Sequence, residues 1–79
     1  MINMEIKLEY VSMLDLEVEN GATIEVEDNI QVQDLLEELG LEQKQQRFIK
    51  PFINEEEKRP TSTLSDGDKL FLFLPAGGG

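Results

Sequence analysis

The residues with the clearest chemical potential stand at the end of the 79-residue sequence, which closes Pro75-Ala76-Gly77-Gly78-Gly79. Glycine has no side chain, so an end of this composition is hard to order and can pass into a narrow channel of another protein. It also leaves the Gly79 carboxylate sterically open to activation. We therefore expect residues 76–79 to form a flexible functional tail, and an inert, frayed terminus is the alternative.

Side chains elsewhere offer little for catalysis. The sequence contains no His and no Cys, which removes the commonest general base, the commonest metal ligand and every disulfide or thiol nucleophile. Asp66 and Asp68 flank Gly67, but two carboxylates are too few for an EF-hand, and Asp-Gly-Asp is typical of a tight turn. We therefore expect no metal site, no bound cofactor, and a protein that is not an enzyme by itself.

The charge balance indicates the kind of partner. Asp and Glu total 17 and Lys and Arg total 7, so the net charge is -10. We expect no binding to nucleic acid or to a membrane, and attraction to a basic protein surface; acidity that serves only solubility is the alternative. No apolar run approaches the roughly 18 residues of a membrane-spanning helix, and the first residues lack the pattern of a secretory signal. The expected location is cytoplasmic.

Hydrophobic periodicity predicts one α+β domain over residues 1–75. Apolar and polar residues alternate over 4–11 and 22–26, as in strands with one buried face, and further strands are predicted at 48–53 and 69–74. An amphipathic helix that ends at Gly40 is predicted from apolar residues at i, i+3, i+4 and i+7: Val32, Leu35, Leu36 and Leu39. Asn29 or Gln31 lies near its start, and Asn29 is the better cap of the two.

The remaining segments complete the expected topology. Residues 54–59, which include the run Glu55-Glu56-Glu57, are interpreted as a charged turn, and 60–65 as an irregular crossing. Pro51 suggests that its strand is at an edge or interrupted. The fold predicted from this order is a roll in which a mixed sheet of four to five strands packs on one main helix, with the first strand parallel to the last.

The last strand presents two different faces. Leu70, Leu72 and Leu74 share one face, and Phe71 and Phe73 share the other. If the leucines meet the helix, both phenylalanines lie on the open side of the sheet beside the tail. Exposed aromatic residues at that place favour a docking surface, and the alternatives are a reversed register or a loop that covers them.

Four segments carry a resemblance to a known family. They are the helix pattern Val32-x-x-Leu35-Leu36, the block Leu-Ser-Asp-Gly-Asp-Lys-Leu at 64–70, the opening Ile-Lys-Leu-Glu-Tyr at 6–10 and the terminal Pro-Ala-Gly-Gly-Gly. With the order of elements, they make the chain resemble the ubiquitin-like sulfur carriers, of the molybdopterin synthase small subunit and thiamine sulfur carrier type. The similarity covers nearly the whole chain, and the fold that it implies is the ubiquitin-like β-grasp roll.

The resemblance also implies a mechanism. In this family a ubiquitin-activating-type adenylating enzyme uses MgATP to convert the terminal Gly carboxylate into an acyl-adenylate, and sulfur from a donor protein then leaves a thiocarboxylate. Gly79 would carry both groups, with Gly78 as its flexible neighbour, and the tail would deliver the sulfur to a cyclic pterin precursor inside the large subunit of molybdopterin synthase. The residues expected to contact partners are Phe71, Phe73, Pro75, Ala76 and Gly77. Three alternatives remain: a thiamine sulfur carrier, a protein modifier that forms isopeptide bonds through Gly79, and an interaction module with an inert tail.

Overall fold

A computed structural model of the chain describes residues 3–75 as one mixed sheet with two short helices. The strands are β1 Asn3–Tyr10, β2 Thr23–Glu27, β3 Lys50–Ile53, β4 Glu56–Glu57 and β5 Lys69–Phe73, and the helices are α1 Val32–Glu38 and α2 Gln43–Gln46. The strand order is β2-β1-β5-β3-β4, in which β1 and β5 run parallel and the other neighbours run antiparallel. This arrangement confirms the predicted α+β roll and the parallel pairing of the first and last strands.

The core lies on the side of the sheet that α1 covers. Successive side chains of a strand point to opposite faces, so β1 and β5 each bury alternate residues on that side: Met4, Ile6, Leu8, Leu70 and Leu72. The helix adds the apolar stripe predicted from the sequence: Val32, Leu35, Leu36 and, at its end, Leu39. All of these residues belong to one buried cluster. No helix within residues 3–75 is both long and apolar enough to cross a membrane.

Helix α1 begins without a side-chain cap. Gln31 occupies the N-cap position, whereas Asn29 lies in the preceding turn with a φ of 62°, so the prediction of Asn29 as the cap is wrong. The Val32 amide instead donates to the carbonyl oxygen of Ser62 at 2.9 Å, and the next amide bonds to the same crossing segment. The crossing therefore satisfies amide groups that a helix start leaves unpaired, and no capping side chain is required.

Gly40 ends α1 as predicted. Its φ is 95°, a conformation that Gly adopts at little cost. Its amide donates to the carbonyl oxygen of Glu37, and the Leu41 amide donates to that of Leu36, both at 3.0 Å. This pair of hydrogen bonds is the Schellman motif, which closes a helix and redirects the chain.

A two-residue turn, Asn54 and Glu55, joins β3 to β4. Both residues have positive φ, 52° and 72°, which is the geometry of a type I′ hairpin turn. The Asn54 side chain accepts a hydrogen bond from the Lys69 amide at 3.0 Å and donates one to Asp68 at 2.9 Å. The prediction of a turn over 54–59 is therefore wrong for Glu56–Glu57, which the tight turn returns alongside β3 as β4.

The turn before β5 is fixed to its surroundings by two carboxylates. Asp66 accepts a hydrogen bond from the Glu5 amide at 2.9 Å, which ties the turn to β1. Asp68 accepts one from the Ser65 amide at 2.8 Å and another from Asn54. The interpretation of this segment as a turn is confirmed, because both carboxylates are used to hold backbone and side-chain donors.

Pro51 lies in an inner strand, since β3 runs between β5 and β4. Its carbonyl oxygen accepts from the Lys58 amide at 2.9 Å, on the β4 side. The nitrogen and the carbonyl group of one strand residue point to the same side, so the proline nitrogen also faces β4. The pairing of β3 with β5 therefore needs no donor from Pro51. The prediction that this strand is at an edge or interrupted is therefore wrong. It is an inner strand, and its neighbour on the proline side, β4, is only two residues long.

Candidate functional site

The face of the sheet turned away from α1, here called the open face, carries the aromatic residues predicted to dock a partner. Leu70 and Leu72 are fully buried on the core side of β5, whereas Phe71 is half-buried and Phe73 is 38% exposed. The structure thus places both phenylalanines opposite the core, as the alternation in β5 predicted. Their role in partner binding stays a prediction.

A third phenylalanine, which the sequence analysis did not single out, completes a cluster on this face. Phe52 of β3 lies opposite Phe71 of β5 in the sheet register. The ring centroids are 6.3 Å apart for Phe52 and Phe71, 6.5 Å for Phe52 and Phe73, and 6.4 Å for Phe71 and Phe73. These distances are typical of aromatic pairs that interact favourably. We call Phe52, Phe71 and Phe73 the aromatic cluster.

Charged side chains border the aromatic cluster. Together they line an open depression of about 410 Å³, to which Glu9, Glu55 and Lys69 contribute the polar groups. In the register of the sheet, Glu9 lies beside Phe71, and Glu57 lies on the far side of Phe52. An apolar floor with carboxylates at its border suits a partner side chain that combines an apolar stem with a positive charge.

The other half of the open face is acidic. Glu5 of β1 lies directly opposite Glu25 of β2, and both are exposed. Like charges in this position destabilise a strand pair, and the Asn3 side chain moderates the repulsion by donating a hydrogen bond to Glu25 at 2.9 Å. Lys7 lies 3.7 Å from Glu9 in an exposed ion pair. A basic protein surface is therefore the electrostatic complement of this half.

The base of the tail is anchored at the centre of the sheet. Strand β5 pairs with β1 on one side and with β3 on the other, and the pairing with β3 extends as far as Phe73. Leu74 then packs against the core, and Pro75 is half-buried. The other predicted tail residues, Ala76, Gly77, Gly78 and Gly79, lie outside the described residues. Of the residues predicted to contact partners, the structure brings Phe71 and Phe73 together, while Pro75 lines a separate depression with Phe48 and Leu74.

Metal-binding groups are absent from the described residues. Within 3–75, no group of three or more His, Cys, Asp or Glu side chains could hold a metal ion. Asp66 and Asp68, the two carboxylates that flank Gly67, accept hydrogen bonds from donors within the protein. What this arrangement can do is dock another protein and present whatever follows Pro75 to it.

The comparison with protein families decides the class. The model of the ThiS family matches residues 4–79, which is almost the whole chain. The chain belongs to the ThiS family. ThiS-family proteins are ubiquitin-like sulfur carriers or modifiers, and they are generally carriers rather than catalysts. They typically work with activating enzymes. The predicted resemblance to ubiquitin-like sulfur carriers is confirmed at this level.

Several solved structures share the fold of this chain. The solution structure of the HVO 2177 protein of Haloferax volcanii has a TM-score of 0.76 at 24% identity, over 98% of this chain and 88% of that one. SAMP1 of the same organism gives 0.63 at 21% identity, over 98% and 99%. A ubiquitin of Caldiarchaeum subterraneum gives 0.56 at 22%, over 98% and 99%. These likenesses confirm the ubiquitin-like β-grasp fold. No curated protein matches the sequence significantly.

Proposed function

We propose that this ThiS-family protein is a sulfur carrier that is activated at the Gly79 carboxylate and donates sulfur in molybdopterin biosynthesis. The observation that carries the proposal is the extent of the family match. It runs from residue 4 to residue 79 and so includes the glycines beyond Pro75 as well as the folded domain. The domain and the tail are therefore matched as one unit.

The proposed chemistry takes place on a backbone group. A Gly79 carboxylate oxygen attacks the α-phosphorus of MgATP, pyrophosphate leaves, and an acyl-adenylate remains. Sulfide released by the sulfur donor protein then attacks the acyl carbon, the carbon–oxygen bond to AMP breaks, AMP leaves, and loss of the S–H proton gives a thiocarboxylate. Neither step needs a His or Cys from this chain, which has neither, because the adenylating enzyme and the sulfur donor protein supply the catalytic groups.

The folded domain contributes recognition in this proposal. The aromatic cluster offers the partly buried rings of Phe52 and Phe71 and the more exposed side chain of Phe73 to a partner surface. Aromatic residues are the commonest anchors of protein interfaces. Because Phe71 and Phe73 belong to β5, the strand that leads into Pro75, a partner docked on the open face also holds the departure point of the tail.

The choice of molybdopterin rests on the opening segment. Residues 6–10 resemble the molybdopterin synthase small subunit, whose large subunit would then be the second partner, after the adenylating enzyme. Ile6 and Leu8 of this segment are buried, while Lys7 and Glu9 face outward on the open face. The outward pair is the part of the motif available to a partner.

Intact mass spectrometry tests the proposal. The purified protein, shown first to end at Gly79, is incubated with its cognate adenylating enzyme, MgATP and sulfide. We expect a mass rise equal to the replacement of one oxygen by sulfur, located on the C-terminal peptide. Sulfur transfer is then measured with the molybdopterin and thiamine precursors in parallel. Conversion of the thiamine precursor alone replaces the molybdopterin assignment, and adducts on Lys of other proteins favour the modifier.

Tail variants separate chemistry from folding. We expect deletion of Gly78 and Gly79 to abolish activation while leaving the melting temperature unchanged, because β5 and the core end before them. Gly79→Ala adds one methyl group beside the reacting carbonyl and should slow activation less than the deletion does. If the full-length protein stays unmodified while another ThiS-family carrier is converted in the same assay, the carrier function is wrong. The alternative of an interaction module with an inert tail then takes its place.

A further inference from the structure

A second apolar surface lies where β5 ends. Two of its residues, Met13 and Phe48, are the most exposed of the large hydrophobic side chains described, at 62% and 55%. Phe48 and Leu74 line two shallow depressions of about 310 and 340 Å³. Met13 lines the first of them and Pro75 the second. We call Met13, Leu14, Phe48, Leu74 and Pro75 the tail-root surface. None of these residues lines the depression over the aromatic cluster.

The local structure forces the exposure of Phe48. It follows α2 in a turn in which the Phe48 amide donates to Gln45 at 3.2 Å and the Ile49 amide donates to Gln46 at 3.0 Å. Ile49 is 5% exposed and part of the core, so its neighbour Phe48 is directed outward. Met13 likewise precedes a residue that packs against the core, Leu14, and so is directed outward.

The charges around this surface are unusual for so acidic a chain. Arg47 and Lys50 line the depression that contains Pro75, and no carboxylate lines it. Lys50 lies 3.7 Å from Glu57 in an ion pair whose two side chains are about half exposed, and Arg47 forms no ion pair with a residue in 3–75. The only acidic group of the adjoining depression, within the described part of the chain, is Asp15, at the Met13 end. The surface is therefore apolar in the middle and basic beside Pro75.

We propose that the tail-root surface is the contact for the protein that receives residues 76–79, and that this protein presents an apolar side chain next to a carboxylate at the mouth of its channel. The inference rests on the proposed function, since it requires a partner that takes up the tail. Such a partner must meet the residues at which the tail departs. The apolar side chain fits against Phe48 and Leu74, and the carboxylate complements Arg47.

Other occupants fit the surface less well. Residues 76–79 consist of one Ala and three Gly, whose side chains are too small to fill a depression of about 340 Å³. A second copy of the chain carries the same net charge of -10, so its approach is opposed by repulsion. A partner with an apolar residue and a local carboxylate is the occupant that matches both the shape and the charge.

Two pairs of variants test the inference against the cognate adenylating enzyme, by titration calorimetry and by the KM for the carrier in adenylation. Arg47→Glu is compared with Lys58→Glu, which makes the same change of net charge next to β4. Phe48→Ala is compared with Val18→Ala, a partly buried residue that lines neither the tail-root surface nor the aromatic cluster and whose truncation should leave binding unchanged. We expect Arg47→Glu and Phe48→Ala each to weaken binding by about tenfold or more, at the hot-spot scale, and Lys58→Glu by less than about twofold, the scale of a peripheral charge.

The outcomes separate this inference from the proposed function. If the wild-type protein is thiocarboxylated but Arg47→Glu binds like Lys58→Glu, the inference is wrong and the carrier function stands. If the wild-type protein is not activated, both fail together. Sedimentation velocity gives the remaining outcome: a dimer that Phe48→Ala dissociates would make the surface a contact between two copies and overturn the proposal. Circular dichroism of each variant confirms that the fold is retained.

Discussion

The strained turn between β3 and β4 allows a stability prediction of definite sign. Glu55 has a φ of 72° and Asn54 a φ of 52°, yet only Asn54 is held by side-chain hydrogen bonds, to Asp68 and to the Lys69 amide. Glu55 forms no ion pair with a described residue and is exposed. We expect Glu55→Gly to stabilise the protein and Asn54→Gly to destabilise it, although both change a residue of positive φ to Gly.

The magnitudes follow from the two contributions at each position. A left-handed conformation costs a residue with a Cβ roughly 1–2 kcal/mol, which Gly avoids. Gly loses more backbone entropy on folding, which offsets about 0.5–1 kcal/mol of that gain. The net stabilisation expected for Glu55→Gly is therefore about 0.5–1 kcal/mol, equivalent to a rise of about 2–8 °C in the melting temperature of a domain of this size. Asn54→Gly removes two hydrogen bonds, each contributing about 1 kcal/mol, and should lower stability by about 1–2 kcal/mol.

Thermal and urea denaturation of both variants provide the measurement. Glu56→Gly is the matched control, because Glu56 is the next residue, has the same side chain, and lies in β4 rather than in the turn. Gly in a strand should lower stability by about 0.5–1 kcal/mol. An unchanged or lower melting temperature for Glu55→Gly, with Glu56→Gly behaving as expected, would show that the turn is not the strained type I′ geometry.

Three further predictions concern the open face, the turn before β5 and the net charge. Phe73→Glu should weaken binding of the adenylating enzyme by about tenfold or more and preserve the circular dichroism spectrum. The control Leu72→Glu should unfold the domain. Unfolding by Phe73→Glu would refute the assignment of Phe73 to the open face. Asp68→Ala should lower the free energy of unfolding by about 1–3 kcal/mol in urea titrations, because Ser65 and Asn54 lose their acceptor, and a value near zero would contradict this role. The association rate with a basic partner, followed by stopped flow, should fall as salt rises, and a flat profile would mean that the acidity serves solubility alone.

Much of the fold follows from local pattern. Alternation predicted that Leu72 and Phe73 point to opposite faces, because the side chains of a strand have only two directions, and the structure shows that the face of Leu72 is the core. Gly40 could be recognised as the helix end since few other residues tolerate its φ. Apolar residues occupy both faces of β5, as suits a strand that lies between β1 and β3 in the sheet.

Other features depend on contacts that no local pattern reveals. Strand β4 consists of two exposed glutamates with no strand preference, and it pairs only because the Asn54–Glu55 turn returns them to β3. The start of α1 is closed by the distant Ser62 carbonyl rather than by a capping side chain. Phe52 joined the aromatic cluster through the register of β3 against β5. Its position in alternation with Phe48 and Lys50 indicated that Phe52 points outward. That pattern did not indicate which side chains would lie beside it.

The parallel pairing of β1 with β5 has a consequence for biosynthesis. The first strand and α1 are made early, but the sheet lacks its central member until residues 69–73 have been synthesised. Pairings between residues so far apart in sequence form late and add to the time that folding takes. A nascent or truncated chain without β5 has neither Phe71 nor Phe73, so it cannot display the aromatic cluster. An enzyme that docks on this face, as proposed above, would find no docking surface on such a chain and would engage only chains in which the strand that leads into the tail is complete.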